Sequence, residues 1–177
     1  MIAKLKLRIY IIFIFTFHSV YKYLPVNAMR ISWLRVIGAK IGKNNYIARN
    51  VKFDFPWRLN LGNNNYISNY VYLDCRGGGI YVGNSCDISS NASIYTLSHN
   101  IYSSNFKIKK KDIYIGNRVW LCVNVVLLPG SRIDEGSVVG ANSVVSKKLK
   151  SYSLYQGNPV KFIKKLPITR ASKTRIN

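Results

Sequence analysis

The sequence predicts an all-β fold, a parallel β-helix of about five triangular coils with short helical segments in front. Three observations carry that. Apolar residues recur every six positions from Ile41 onward, the recurrences group in threes, and every irregularity falls at the same place within a group.

The anchors are Ile41, Ile47 and Phe53; Leu61, Ile67 and Leu73; Val82, Ile88 and Ile94; Ile115, Leu121 and Leu127; and Ile133, Val139 and Val145. Six residues per side and three sides per turn describe a triangular prism. Each anchor points inward and stacks on the anchors of the coils above and below. An antiparallel sandwich would instead show strict alternation and hairpin turns at shorter spacing. Four sets open with an apolar-glycine pair: Ile41-Gly42, Leu61-Gly62, Val82-Gly83 and Ile115-Gly116. Asn44, Asn63, Asn64, Asn84, Asn117 and Asn142 fall near corners, where asparagine tolerates left-handed backbone.

Extra residues occur only after the third side of a set. There are two between Phe53 and Leu61, three between Leu73 and Val82, and fifteen between Ile94 and Ile115. All leave from one corner, and insertions on one edge of a repeat usually mark its binding face. His99 stands directly before the longest insertion, 100–112, which carries the basic stretch Lys107–Lys111.

The flanks divide the chain into an apolar and basic helical segment over 1–37, the coil domain over 38–150 with its loop at 100–112, and a basic C-terminal helix or tail over 151–177. In the first 24 residues the apolar run Ile9–Phe17 is nine residues long, about half of the ~20 needed to span a bilayer. Three readings stay open for it: a helix packed on the domain or a partner subunit, a helix lying on a membrane surface, and a cleaved signal. Pro25 ends this segment, and a second helical stretch runs from about Ala28 to Val36.

Composition excludes several chemistries. Among 177 residues, 48% are hydrophobic, enough for a real core. Twenty-seven Lys and Arg against six Asp and Glu give a net charge of +21, which attracts polyanions and phosphorylated small molecules. His18 and His99 are too few for a three-histidine zinc site. No CxxC pair, HExxH, GxSxG elbow or phosphate-binding P-loop is present. No metal is expected. Three cysteines without CxxC spacing read as reduced thiols of a cytoplasmic protein.

The segments IGNRVW (Ile115–Trp120), LLPG (Leu127–Gly130), VVGANSVVS (Val138–Ser146), GNPVK (Gly157–Lys161), TLSHN (Thr96–Asn100) and GAKIG (Gly38–Gly42) carry a family likeness. Over about residues 28–165 the chain resembles the hexapeptide-repeat acyltransferases, and most of all their sugar O-acetyltransferases. These include galactoside and maltose acetyltransferases and those of capsule, colanic acid and O-antigen synthesis. The left hand of the coil is implied by this resemblance alone, since parallel crossovers are normally right-handed.

The resemblance implies acetyl-CoA as cosubstrate and His99 as general base, taking a proton from a sugar hydroxyl as it attacks the thioester. Imidazole suits that task near neutral pH. On the acceptor side it points to Asn69 and Trp120, and Asp74, at the same insertion corner one coil earlier, is placed by its position to grip the acceptor or to orient His99. For the cofactor it points to Val123, through its backbone N–H as oxyanion donor, and to Ala141, Ser146, Lys147, Lys161 and Lys164. The lysines suit the phosphates, without the bidentate grip arginine would give.

A homotrimer is expected on two grounds. His99 and Trp120 fall at different corners, roughly 20 Å apart for a six-residue side, and the family is trimeric. Three functions stand at this stage. The first is O-acetylation of a sugar hydroxyl in a surface polysaccharide or its precursor. The second is N-acetylation of a nucleotide-linked amino sugar. The third is a basic scaffold on membrane or nucleic acid, although no nucleic-acid motif accompanies the charge and no nucleic-acid partner is expected. Residues 1–24 leave a peripheral membrane contact open.

Overall fold

The computed structural model describes residues 2–168, and in the first helix the side chains of Ile9, Tyr10 and those from Ile12 onward. The chain forms a left-handed parallel β-helix capped at its N-terminal end by two α-helices, α1 (Ile2–Tyr23) and α2 (Asn27–Val36).

Three parallel ladders make the three faces. The first face stacks Lys40–Ile41, Leu59–Leu61, Ile80–Val82, Ile113–Ile115, Arg132–Ile133 and Lys148–Leu149. The second stacks Tyr46–Ile47, Tyr66–Ile67, Asp87–Ile88, Trp120–Leu121, Val138–Val139 and Ser153–Gln156. The third stacks Lys52–Asp54, Tyr72–Asp74, Ser93–Tyr95, Val126–Leu127 and Val144–Val145.

Register follows the anchors. Ile41 pairs with Leu61, Leu61 with Val82, Val82 with Ile115 and Ile115 with Ile133. All fifteen expected anchors are buried. Burying one such side chain is worth about 1.5–3 kcal/mol, so the column of anchors supplies the drive that holds very short strands in line.

A sixth coil follows the five that the period reveals. Leu149 and Tyr155 continue the first two anchor columns, buried against Ile133 and Val139. The spacing from Val145 to Leu149 is four rather than six, so the period hides this coil. The C-terminal segment read as a helix or tail is instead extended: Lys161–Lys165 runs antiparallel to Ser153–Gln156 on the second face. Residues 169–177 of that segment lie outside the described residues.

Corner asparagines divide into two kinds. Asn44, Asn64 and Asn142 adopt left-handed backbone, as expected. Asn63, Asn84 and Asn117 work through their side chains, each Oδ1 accepting the N–H of the residue a coil before: Lys43, Asn63 and Asn84, at 2.7, 2.7 and 2.9 Å. The glycines before them leave room for this ladder. A Cβ on Gly62 would lie 2.6 Å from the Gly83 carbonyl oxygen.

The first coil would otherwise present a raw strand edge, which invites aggregation. The helices close it. Phe17, Tyr21, Ile31 and Leu34 bury themselves over the open end of the prism, with Phe17 and Tyr21 edge-on to Phe53. Their polar neighbours occupy the edge carbonyls. Tyr21 donates to Ala48, Arg30 to Ile47, Arg35 to Ile41, Asn27 to Asn45, and the His18 ring nitrogen Nε2 lies 2.9 Å from the Phe53 oxygen.

Candidate active site

The fold sorts the candidate residues into two corner columns. Asn69, Val123 and Ala141 occupy the same position at the corner between the second and third faces, each between a strand of one and a strand of the other. Left-handed Tyr70, Asn91, Asn124 and Asn142 turn this corner, and Asn124 donates its side-chain amide to Asn142 at 3.0 Å. Trp120 stands outward on the second face just before it, its indole N–H donating to the Ser89 hydroxyl at 3.0 Å.

The opposite end of the third face carries the other column: Asp74, His99, Ser146 and Lys147. This is the corner from which the insertions leave. The long insertion forms an antiparallel hairpin, Leu97–His99 with Ile108–Lys110, in which His99 pairs with Ile108. His99 is exposed and its Nδ1 lies 2.7 Å from the carbonyl oxygen of Phe106. A carbonyl only accepts, so Nδ1 carries the hydrogen and the neutral ring keeps its lone pair on Nε2.

Asp74 is not placed as the sequence suggests. Its side chain is fully buried, and Arg76 takes both oxygens, with Nε to Oδ1 at 2.9 Å and Nη2 to Oδ2 at 2.9 Å. A carboxylate this deep is stable only when paired. Asp54, Tyr72 and Tyr10 complete the cluster, the phenols donating to Asp54. The residue that faces solvent here is Arg76, which the sequence reading passes over, and the group that orients His99 is a backbone carbonyl rather than Asp74. Thr96 braces the corner by accepting the N–H groups of Gly77 and Gly78.

Lys161 and Lys164 lie on the exposed final strand. With Lys147 they take part in none of the ion pairs among the described residues, whereas Lys148 is tied to Asp134. Lys147 stands in the insertion-corner column, whereas Lys161 and Lys164 lie on the strand added to the second face; cations of this kind are chemically suited to a phosphorylated carrier. No group of three or more His, Cys, Asp or Glu that could hold a metal ion occurs among the described residues. Burial pushes the Cys75 and Cys86 thiols up to about 12, so neither is a nucleophile at neutral pH.

Two comparisons bear on this arrangement. The model of the bacterial transferase hexapeptide family (six repeats) matches residues 112–147. Over 131 residues the chain is 40% identical to the candidate colanic acid biosynthesis acetyltransferase WcaF of Escherichia coli (strain K12), covering 74% of this chain and 71% of that one. The chain belongs to the hexapeptide-repeat transferases.

Within that family the transferase is an acyltransferase. A candidate acetyltransferase of Staphylococcus aureus (strain Mu50 / ATCC 700699) is 39% identical over 125 residues, 68% of this chain and 62% of the relative. Among solved structures, a maltose O-acetyltransferase from Clostridium difficile 630 superposes with a TM-score of 0.79 at 25% identity, covering 88% of the transferase and 85% of that chain. A galactoside acetyltransferase in complex with coenzyme A shares the fold, with a TM-score of 0.75 at 24% identity over 86% and 78% of the two chains.

Proposed function

We propose that the protein is an acetyl-CoA-dependent O-acetyltransferase acting on a sugar hydroxyl in surface polysaccharide synthesis, in the cytoplasm. The observation that carries this is the His99–Phe106 bond, which leaves an exposed imidazole with a free lone pair at Nε2. The acceptor class draws support from the colanic acid name of the Escherichia coli relative and from the maltose acetyltransferase neighbour.

Acetyl-CoA supplies an activated acetyl group. The chain's residues do the rest. His99 takes the hydroxyl proton at Nε2 as the hydroxyl oxygen attacks the acetyl carbon, and gives it to the departing thiolate as the C–S bond breaks. The Val123 N–H donates to the oxygen that gains charge. Lys147, Lys161 and Lys164 hold phosphates, Ser146 contributes a hydroxyl, and Ala141 leaves space for the carrier arm. Asn69 and Trp120 contact the acceptor, with Arg76 standing where the buried Asp74 was expected.

The two columns lie at opposite edges of the third face, so a single chain does not close this site. In a homotrimer with third faces toward the axis, the His99 corner of one subunit meets the Val123 and Ala141 corner of the next. At one register this face carries Lys52, Tyr72, Ser93, Val126 and Val144, so its small or apolar residues for such packing lie toward the later coils.

Thiol release from acetyl-CoA, screened against sugars, nucleotide sugars and polysaccharide repeat units, tests the reading. Acceptor-dependent release with an O-acetylated product supports it, and exclusive transfer to amino groups refutes it. Light scattering of the same preparation should give three times the chain mass, and an active monomer would overturn the shared site.

A further inference from the structure

The N-terminal cap leaves one side of α1 uncovered. Phe13, Phe17 and Tyr21 turn toward the prism, whereas Ile9, Ile12, Phe15 and Tyr23 are 58%, 66%, 74% and 79% exposed. At ~100° per residue these four fall within one arc, opposite the buried stripe. Val26, Met29 and Val36, on α2 and the link before it, are exposed as well. An apolar surface of this kind on an otherwise closed fold marks a contact with a partner or a lipid phase.

Charge chooses between them. Residues 1–53 contain ten Lys and Arg and no Asp or Glu. The first acid in the chain, Asp54, is already taken up by Tyr10, Tyr72 and Arg76. Lys22 on α1 and Lys40, Lys43 and Arg49 on the first coil are all exposed. That coil lies directly beneath the cap, so its cations flank the surface that the cap presents, and their attraction to an anionic surface weakens with salt. An anionic bilayer answers both features at once: headgroups for the cations and acyl chains for the apolar arc. The helix is not a span, because among the described residues no helix is long and apolar enough to cross a membrane.

We propose that this cap docks on the surface of an anionic lipid bilayer, with α1 lying in the interfacial plane and Ile9, Ile12 and Phe15 facing the acyl chains. The prism then stands away from the membrane, and its insertion corner stays in water. In a threefold assembly with parallel prism axes, the three caps sit at one end and act together, which multiplies their avidity. The proposal does not depend on the acetyl-transfer reading.

Sedimentation of the full chain with phosphatidylcholine vesicles, with and without phosphatidylglycerol, tests it. Binding should need phosphatidylglycerol and weaken with added salt. Ile12→Asp with Phe15→Asp should reduce the partition coefficient at least about tenfold, since each side chain contributes on the order of 1.5 kcal/mol or more of burial. Both side chains are exposed, so the fold should survive, as circular dichroism will show. Lys22→Gln with Lys43→Gln and Arg49→Gln provides a second variant that leaves the apolar arc alone and should lower anionic binding only. Absence of binding to anionic vesicles at low salt overturns the proposal, as does equal binding by the Asp variant. So does a wild-type mass that the Asp variant halves, which would assign the face to a second copy of the chain. Acetyl transfer to a water-soluble sugar, measured on the same variants, should be unchanged. In the wild-type protein, absent lipid binding with transfer intact fails this proposal alone, and absent transfer with lipid binding intact fails the enzymatic reading alone.

Discussion

His99 and Phe106 are joined across the hairpin of the long insertion, with Nδ1 donating to the backbone carbonyl at 2.7 Å. Phe106 itself has left-handed backbone, φ 49°, and is 64% exposed. Its carbonyl is the group that receives the imidazole N–H. The bond ties the orientation of the imidazole to the shape of a loop rather than to a carboxylate.

Replacing His99 by Ala should lower kcat about 10²–10⁴-fold, the usual contribution of a general base. The KM for acetyl-CoA should change little, and the melting temperature should stay within error because the ring is exposed. Steady-state assays with thiol detection check this. Retention of more than roughly a tenth of kcat would move the role elsewhere.

Lys161 and Lys164 are expected to act on cofactor affinity alone. Changing both to Ala should raise the KM for acetyl-CoA about tenfold or more, at about 1.5 kcal/mol or more for each charged hydrogen bond. The kcat at saturating cofactor should hold. An unchanged KM would return these lysines to the solvated surface.

Gly62→Ala tests the corner ladder. The new Cβ meets the Gly83 carbonyl oxygen at 2.6 Å and the Asn84 Oδ1 at 2.6 Å, and backbone on the next coil cannot yield as a side chain can. A loss of about 1–3 kcal/mol is expected, as for overpacking generally. Urea denaturation of the two proteins measures it, and equal midpoints would contradict the geometry.

His18 should make the cap sensitive to acid. Burial lowers its pKa, outweighing the opposite effect of the bond to the Phe53 carbonyl. The unfolded chain therefore binds more protons than the folded one once pH falls below about 6.5. Stability is fully present above that value and is lost as pH drops toward the lowered folded pKa. Melting temperatures at about pH 7.5 and about pH 5.5 should fall apart more in the wild type than in His18→Gln. A wild-type slope no steeper than the variant's would refute the linkage.

The sequence by itself determined the solenoid. A period of six over fifteen anchors leaves each side chain only one inward position per side, and burial of Ile, Leu and Val then fixes both strand and register. It also placed His99 at the insertion corner, because insertions cannot enter a stacked interior. Three things were decided only by tertiary structure. The sixth coil closes with a shortened step from Val145 to Leu149, which stacking tolerates and a fixed period does not reveal. Asp74 sinks beneath Arg76 because an unpaired buried carboxylate is costly, and no spacing rule says which of two neighbouring charges will face solvent. The tautomer of His99 rests on the Phe106 carbonyl, which the hairpin of the long insertion brings to Nδ1. Side-chain period reports which residues are buried together, and it carries no information about where a loop's backbone dipoles point.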